Sequence, residues 1–204
     1  MPSAARNDAD GLNAGRTLRE APSVSELAPA FLVAVPQLGD PNFSRAIVLM
    51  LEHSPKGAIG LVVNRPSPLT LFEVARSQGV PSRDEQRAAP VFSGGPVETE
   101  RGFLLHADPL LPESVELVDQ LFVSSSIEAL KQLLAGPPVG WRLCLGYAGW
   151  GPGQLEEELK EGAWLVAPPA ARHVLETPPK KAWDAVLHDL GIDPSMLLHT
   201  SGLH

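Results

Sequence analysis

Apolar residues fall into short runs rather than long helical stripes once the chain passes Leu27. "FLVAVPQL" is the first such run, followed by the turn-like "GDPNFSR"; "AIVLMLEH" and "AIGLVVNRP" come next, joined by "SPKG". Two runs rich in β-branched residues around a short Pro/Gly turn predict a β-hairpin. Both are nearly continuously apolar instead of alternating, which places them in the middle of a sheet with both faces covered. "LTLFEVARSQG" carries Leu71, Val74 and Ala75 at helical spacing, with Gly79 as its stop. "PVFSGGPVETERGFLLHAD" predicts two strands around a Gly-Gly-Pro corner. In "SIEALKQLLAG" a helix is expected, with Ser125 and Glu128 as a capping box and Gly136 at its end. "WRLCLGYAGW" reads as a strand, 154–161 as a short helix and "AWLVAP" as another strand. The helix "KKAWDAVLHDLG" presents Trp183, Val186, Leu187 and Leu190 on one face, with Gly191 at C′.

Helices and strands are interspersed without strict alternation, so the expected architecture is α+β, a mixed sheet with helices around it. There is no internal repeat. Residues 1–24 are small, polar and aperiodic, and are expected to form a disordered tail ahead of a single domain over 25–204. The 204 residues carry 16 Lys and Arg against 24 Asp and Glu, a formal charge of −8. That balance lacks the basic excess of a phosphate-backbone binder, so direct nucleic-acid binding and anionic membranes are not expected. Cys144 is the single cysteine, which excludes an intrachain disulfide and favours a reducing compartment. The N-terminal residues contain no apolar secretory core. The longest purely apolar run, 46–51, is too short to span a bilayer. A cytoplasmic location is expected.

Several segments, in this order, resemble the YqgE/AlgH family of bacterial proteins: "PQLGDPNFSRAIVLMLEHSPKGAIGLVVNRP", "VFSGGPVETERGF", "LGYAGWGPGQLEEEL", "WLVAP" and "AWDAVLHDLGID". The resemblance runs from about Leu27 to Pro194. It implies an α+β domain whose mixed, branched sheet is partly closed into a small barrel flanked by helices. Members are commonly labelled transcriptional regulators, and the resemblance brings no catalytic mechanism with it.

Candidate chemistry gathers at strand ends. Gly146, Gly149, Gly151 and Gly153 in "LGYAGWGPGQLEEEL" would let backbone approach a ligand, with Trp150 and Gln154 beside them. The competing reading is a corner, because Glu156, Glu157 and Glu158 complement the following helix themselves and would repel a phosphate. Gly94 and Gly95 offer an anion-binding nest with Arg101 supplying charge, or else a tight turn. Asn64 and Arg65 end a buried strand, where Asn serves either a site or its own backbone. Among the histidines no metal spacing occurs, and no nucleophile elbow is present, so neither a metal, a cofactor nor a catalytic set is called. The functional expectation is therefore a non-enzymatic regulatory or binding protein. It would engage an unknown protein partner or small ligand through Asn64, Arg65, Gly94, Gly95, Arg101, Gly149, Trp150 and Gln154. The alternative is a metal-independent enzyme such as a small hydrolase, using His53 or His106 with a carboxylate such as Asp108. Direct DNA binding, suggested by the regulator label, lacks a basic recognition helix.

Overall fold

Why the apolar runs are unbroken becomes clear from the sheet they build. The computed structural model describes residues 27–41, 43–84 and 88–199; the expected tail, 1–24, lies outside them. Phe31–Ala34 (β1), Ile47–Ser54 (β2) and Gly57–Val62 (β3) form an antiparallel meander. Pro66–Thr70 (β4) leads into helix Leu71–Ser77 (α1), then Pro90–Ser93 (β5), Val97–His106 (β6), Val115–Val118 (β7) and Leu121–Ser124 (β8). Helix Ile127–Ala135 (α2) precedes Trp141–Trp150 (β9), helix Gln154–Lys160 (α3) and Trp164–Ala167 (β10). Three helices close the described chain: Ala171–Leu175 (α4), Pro179–Asp189 (α5) and Pro194–His199 (α6).

The strand order is β10-β1-β2-β3-β9-β6-β8-β7, with β4 and β5 as an arm attached to β9. Only the β5–β9 pairing is parallel among those described. The expected closure into a small barrel is not found. β10 and β7 end the order without pairing with each other, so the sheet stays open. The cause is a fork at β9. Its first half pairs with β5 at Cys144 and Leu145, and its last residues pair with β3 through Ala148, Gly149 and Trp150, while β6 runs along the other side. The chain that would complete a cylinder goes into a branch instead.

Successive side chains on the central strands enter different cores. Phe31, Val33, Ile47, Leu49 and Leu61 pack into one cluster with Val174, Trp183, Val186 and Leu187 of α4 and α5. Their neighbours Leu32, Ala34, Val48, Met50 and Val62 face a second cluster with Leu155 of α3 and Trp164. α1 and α2 cover a third, with Leu104, Trp141 and Leu143. Gly146, at φ 73°, switches the alternation along β9. Before it, Cys144 faces the first core; after it Tyr147 does, and Ala148 and Trp150 turn to the second.

Local signals were partly displaced. The box expected from Ser125 and Glu128 is absent: α2 begins after Ser126, which makes no side-chain cap bond, and Glu128 pairs with Lys131. The Ser124 hydroxyl accepts the Ser126 N–H and so orders the turn one step earlier. A reciprocal box stands at α1, between Thr70 and Glu73, and bonding to Thr70 lowers the Glu73 carboxyl below its usual range. Gly191 does end α5 at C′, its N–H bonding His188 O while Ile192 N–H bonds Leu187 O.

Candidate functional site

Asn64 ends the run that contains β3 and turns its side chain on the loop before β2. Its Oδ1 accepts the Ile47 N–H at 2.9 Å and its Nδ2 donates to Arg45 O at 2.9 Å. Arg65 holds the same loop, donating to Pro41 O at 3.2 Å and Ser44 O at 3.1 Å. Between these clamps Arg45 is held at φ 51°, a left-handed conformation uncommon for a residue with a side chain. Its guanidinium lies 5.0 Å from the centre of the Trp183 ring. Trp183 is buried and donates its indole N–H to Ala34 O at 2.9 Å, which fixes α5 against β1. Ser44, Arg45, Asn64, Arg65, Pro66, Pro179, Lys180, Trp183 and Asp184 thereby border an open cleft of about 360 Å³.

The two other predicted corners are built differently. Gly94 and Gly95 meet Gly146 backbone to backbone: Gly94 N–H bonds Leu145 O, and its carbonyl accepts Val62 N–H, both at 2.8 Å. A Cβ on Gly94 would stand 2.2 Å from Gly146 O, and one on Gly95 2.1 Å from the Tyr147 carbonyl carbon. Ser93 N–H bonds Arg65 O, so this junction adjoins the Asn64–Arg65 end of β3. Gly95 and Arg65 share a smaller hollow of about 120 Å³ with Ser93, Pro96 and Thr99. Arg101 is exposed on β6, paired with Glu98 at 3.3 Å and lying over the Phe103 ring.

Gly149, Trp150 and Gln154 lie at the opposite end of β3, where Ile59 pairs with Gly149 and Ala58 with Trp150. Trp150 is buried, and it shares an acceptor with Trp164: both indole N–H groups donate to Glu158 Oε2, at 2.9 and 2.8 Å. Gln154 donates to the other oxygen at 2.9 Å and accepts the Gly151 N–H. Phe43 packs edge-on against Trp164, with centroids 5.4 Å apart. The glutamate run thus serves the fold more specifically than by complementing a dipole: Glu158 ties two strands together, and Glu156 Oε1 stands 3.1 Å from His53 Nε2.

His53 and His106 end different strands, β2 and β6. His106 Nε2 is 3.3 Å from Ser114 Oγ, its ring stacks on Phe122, and its Nδ1 is buried without a partner. Burial pushes the His106 imidazole below its ordinary range, against the opposing pull of Asp108. Nδ1 of His53 is likewise buried and unbonded. Cys144 is fully buried, and burial pushes its thiol up to about 12, so it carries no thiolate at neutral pH. Among the described residues no group of three His, Cys, Asp or Glu is placed to hold a metal ion.

Sequence reading passed over three features. Arg142 is buried on β9, donating to Val63 O at 2.7 Å and Thr177 O at 2.8 Å with its guanidinium over the Phe92 ring, and burial lowers its pKa. His173 Nε2 meets Asp189 Oδ2 at 2.7 Å, and Arg172 bonds the same oxygen. Bonding to His173, more than the nearby Arg172, keeps the Asp189 carboxyl below its usual range. Thr177 Oγ1 is 3.4 Å from His173 Nδ1 but donates to Arg172 O, so its proton is committed to backbone. The third is the company Asn64 keeps: Arg45 and Lys180 come from segments 135 residues apart in numbering, which no local spacing reveals. One signal was available for Lys180. It and Lys181 occupy the first turn of α5, where no acidic residue stands and where the helix dipole disfavours cations.

Known proteins share this fold. The AlgH-like family profile (DUF179) matches residues 31–195. A UPF0301 protein of Myxococcus xanthus is 48% identical over 181 residues, covering 89% of this chain and all of the relative. A UPF0301 protein of Xanthomonas campestris is 41% identical over 179 residues, 86% of this chain and 95% of the relative. The solution structure of the AlgH protein from Pseudomonas aeruginosa superposes with a TM-score of 0.70 at 36% identity, over 91% of this chain and 99% of that one. A Corynebacterium diphtheriae protein, DIP2367, shares the fold at 22% identity with a TM-score of 0.67, over 83% and 90% of the two chains. With a profile spanning most of its length and full-length relatives above 40% identity, this chain belongs to the AlgH-like family.

Proposed function

We propose that this chain is a non-enzymatic binding protein with a regulatory role, acting through a small ligand or protein partner rather than by contacting DNA itself. One observation carries the reading: of the strand-end corners, the Asn64–Arg65 corner opens onto a cleft large enough for a ligand. The cleft offers cations, an amide and a carboxylate, but no nucleophile activated by a base. The formal charge of −8 supports action through a partner if transcription is affected, because the global field opposes duplex binding. A hydrolase using His53 or His106 has less support. His53 is engaged by Glu156, His106 faces Ser114, and neither borders the clefts described. No helix among the described residues is long and apolar enough to cross a membrane.

A thermal-shift screen against metabolites and nucleotides, at low and high salt, tests the reading. A ligand present at about a hundred times its dissociation constant adds roughly 2.7 kcal/mol to folding stability. The expected hit is weakened by Asn64→Ala. A ligand that is turned over, or a mobility shift on duplex DNA that fades with salt, would refute the respective halves of the proposal.

A further inference from the structure

The chemistry of the cleft narrows what it takes, granted that it is a binding site as proposed above. We infer that the cleft binds a small hydroxylated oxyanion, a phosphate monoester or a carboxylate, between Arg45 and Lys180, with Asn64 and Arg65 as positioning residues. Four features point there.

The first is uncompensated charge. Arg45 and Lys180 both border the cleft, and among the described residues neither has a carboxylate within ion-pair distance. Three cations, Arg45, Arg65 and Lys180, against one carboxylate, Asp184, give the cleft a local positive balance within a chain of net charge −8, and a bound anion would meet it. The second is the placement of Lys180. It adds a cation at the positive end of α5, whose first turn holds no acidic side chain.

The third is strain directed at the site. Arg45 sits in the left-handed region, and two side chains hold it there: Asn64 through the Arg45 carbonyl, Arg65 through that of Ser44. Such conformations occur here also at Glu98, Glu113 and Gln120, but at Arg45 dedicated side-chain bonds hold the residue at the mouth of a cleft, as ligand clamps do. The arrangement aims the guanidinium over the Trp183 ring, where stacking pre-orients it. The fourth is size and polarity. About 360 Å³ lies at the lower end of ligand pockets, and Asp184 adds one acceptor on the wall. A hydroxyl on the ligand would donate to Asp184 while the oxyanion meets the two cations.

Isothermal titration calorimetry on the full chain tests this with inorganic phosphate, glycerol 3-phosphate and glycerate, each against sodium chloride of matched ionic strength. Arg45→Gly keeps the left-handed backbone accessible and removes the charge; Lys180→Gln alters an exposed side chain. At least one probe is expected to bind saturably, and each substitution to weaken it about tenfold or more, the scale of a charge-assisted hydrogen bond. The two glycerol-derived probes separate a phosphate from a carboxylate head group. Asn64→Ala is expected to weaken binding too, and to cost little more when combined with Arg45→Gly, because Asn64 acts through Arg45. The inference is overturned if no probe binds, if chloride reproduces the signal, or if both charge substitutions leave affinity unchanged. A neutral or cationic ligand whose binding depends on Asn64 would refute the oxyanion while leaving the binding role intact. If the broad screen finds no ligand either, the oxyanion inference fails together with the small-ligand half of the proposed function, leaving a protein partner.

Discussion

Gly146 and Gly153 have nearly the same backbone conformation, φ 73° and 76°, yet replacing each by alanine should have unequal effects. Alanine in the left-handed region costs about 1–2 kcal/mol, and that penalty applies at both positions. At Gly153 an added Cβ meets no atom within 4 Å, so nothing else is lost. At Gly146 the same Cβ would stand 2.5 Å from Gly95 O and 3.0 Å from Val97 O. These are backbone atoms held by the sheet fork, so they cannot swing aside as a side chain would. Forcing an extra carbon into such packing adds about 1–3 kcal/mol. The expected losses are therefore about 1–2 kcal/mol for Gly153→Ala and about 2–5 kcal/mol for Gly146→Ala. Urea denaturation followed by tryptophan fluorescence measures both, with unchanged m-values as the control that the unfolded states are alike. If the two losses agree within about 0.5 kcal/mol, the backbone-on-backbone junction is not what holds Gly146 in place, and the argument for a structural corner fails.

Three further expectations follow from single contacts. Glu158→Ala strands the buried indole N–H groups of Trp150 and Trp164, which should cost about 2–4 kcal/mol and shift the tryptophan emission; a loss below about 1 kcal/mol would count against the shared acceptor. His106 has its folded-state pKa depressed by burial, so the unfolded chain takes up a proton first as pH falls below about 6.5. Its contribution is therefore lost on acidification from that point down to the folded pKa, and His106→Phe should flatten this part of a stability–pH curve; an unchanged slope would refute the assignment. Cys144, with its thiol pushed up to about 12, should resist alkylation at pH 8 in the native protein and react once the chain is unfolded in urea, whereas rapid native labelling would show the core to be open there.

The chain by itself determined much of the architecture, because the deciding interactions are local. Unbroken apolar runs at 46–51 and 58–63 mark strands with two buried faces, and the Gly/Pro turn between them makes a hairpin. Gly191 after an apolar helical face specifies where α5 stops. Local reading also misplaced features wherever two short patterns competed. Ser125–Glu128 and Thr70–Glu73 both fit the box, and only the second closes, since Ser124 captures the turn before α2. β4 was not legible, because two prolines in "PSPLT" argue against a strand; it lies on the arm, paired only with β5. The open sheet was equally out of reach, since the fork depends on which neighbours β9 chooses at each half.

The candidate site divides along the same line. Asn64 and Arg65 could be picked out as polar groups closing an apolar strand. That they grip the loop before β2, hold Arg45 in a left-handed turn and face Lys180 was decided only in three dimensions. The glycine cluster shows the converse. Its composition suggested either a cradle or a corner, and it was the approach of Gly94 and Gly95 to Gly146 that placed backbone against backbone there. Periodicity and turn chemistry act between residues a few positions apart, so the chain displays them directly. The cleft instead arises between segments as far apart as Arg45 and Lys180, and only the packing of the sheet determines which of those segments meet.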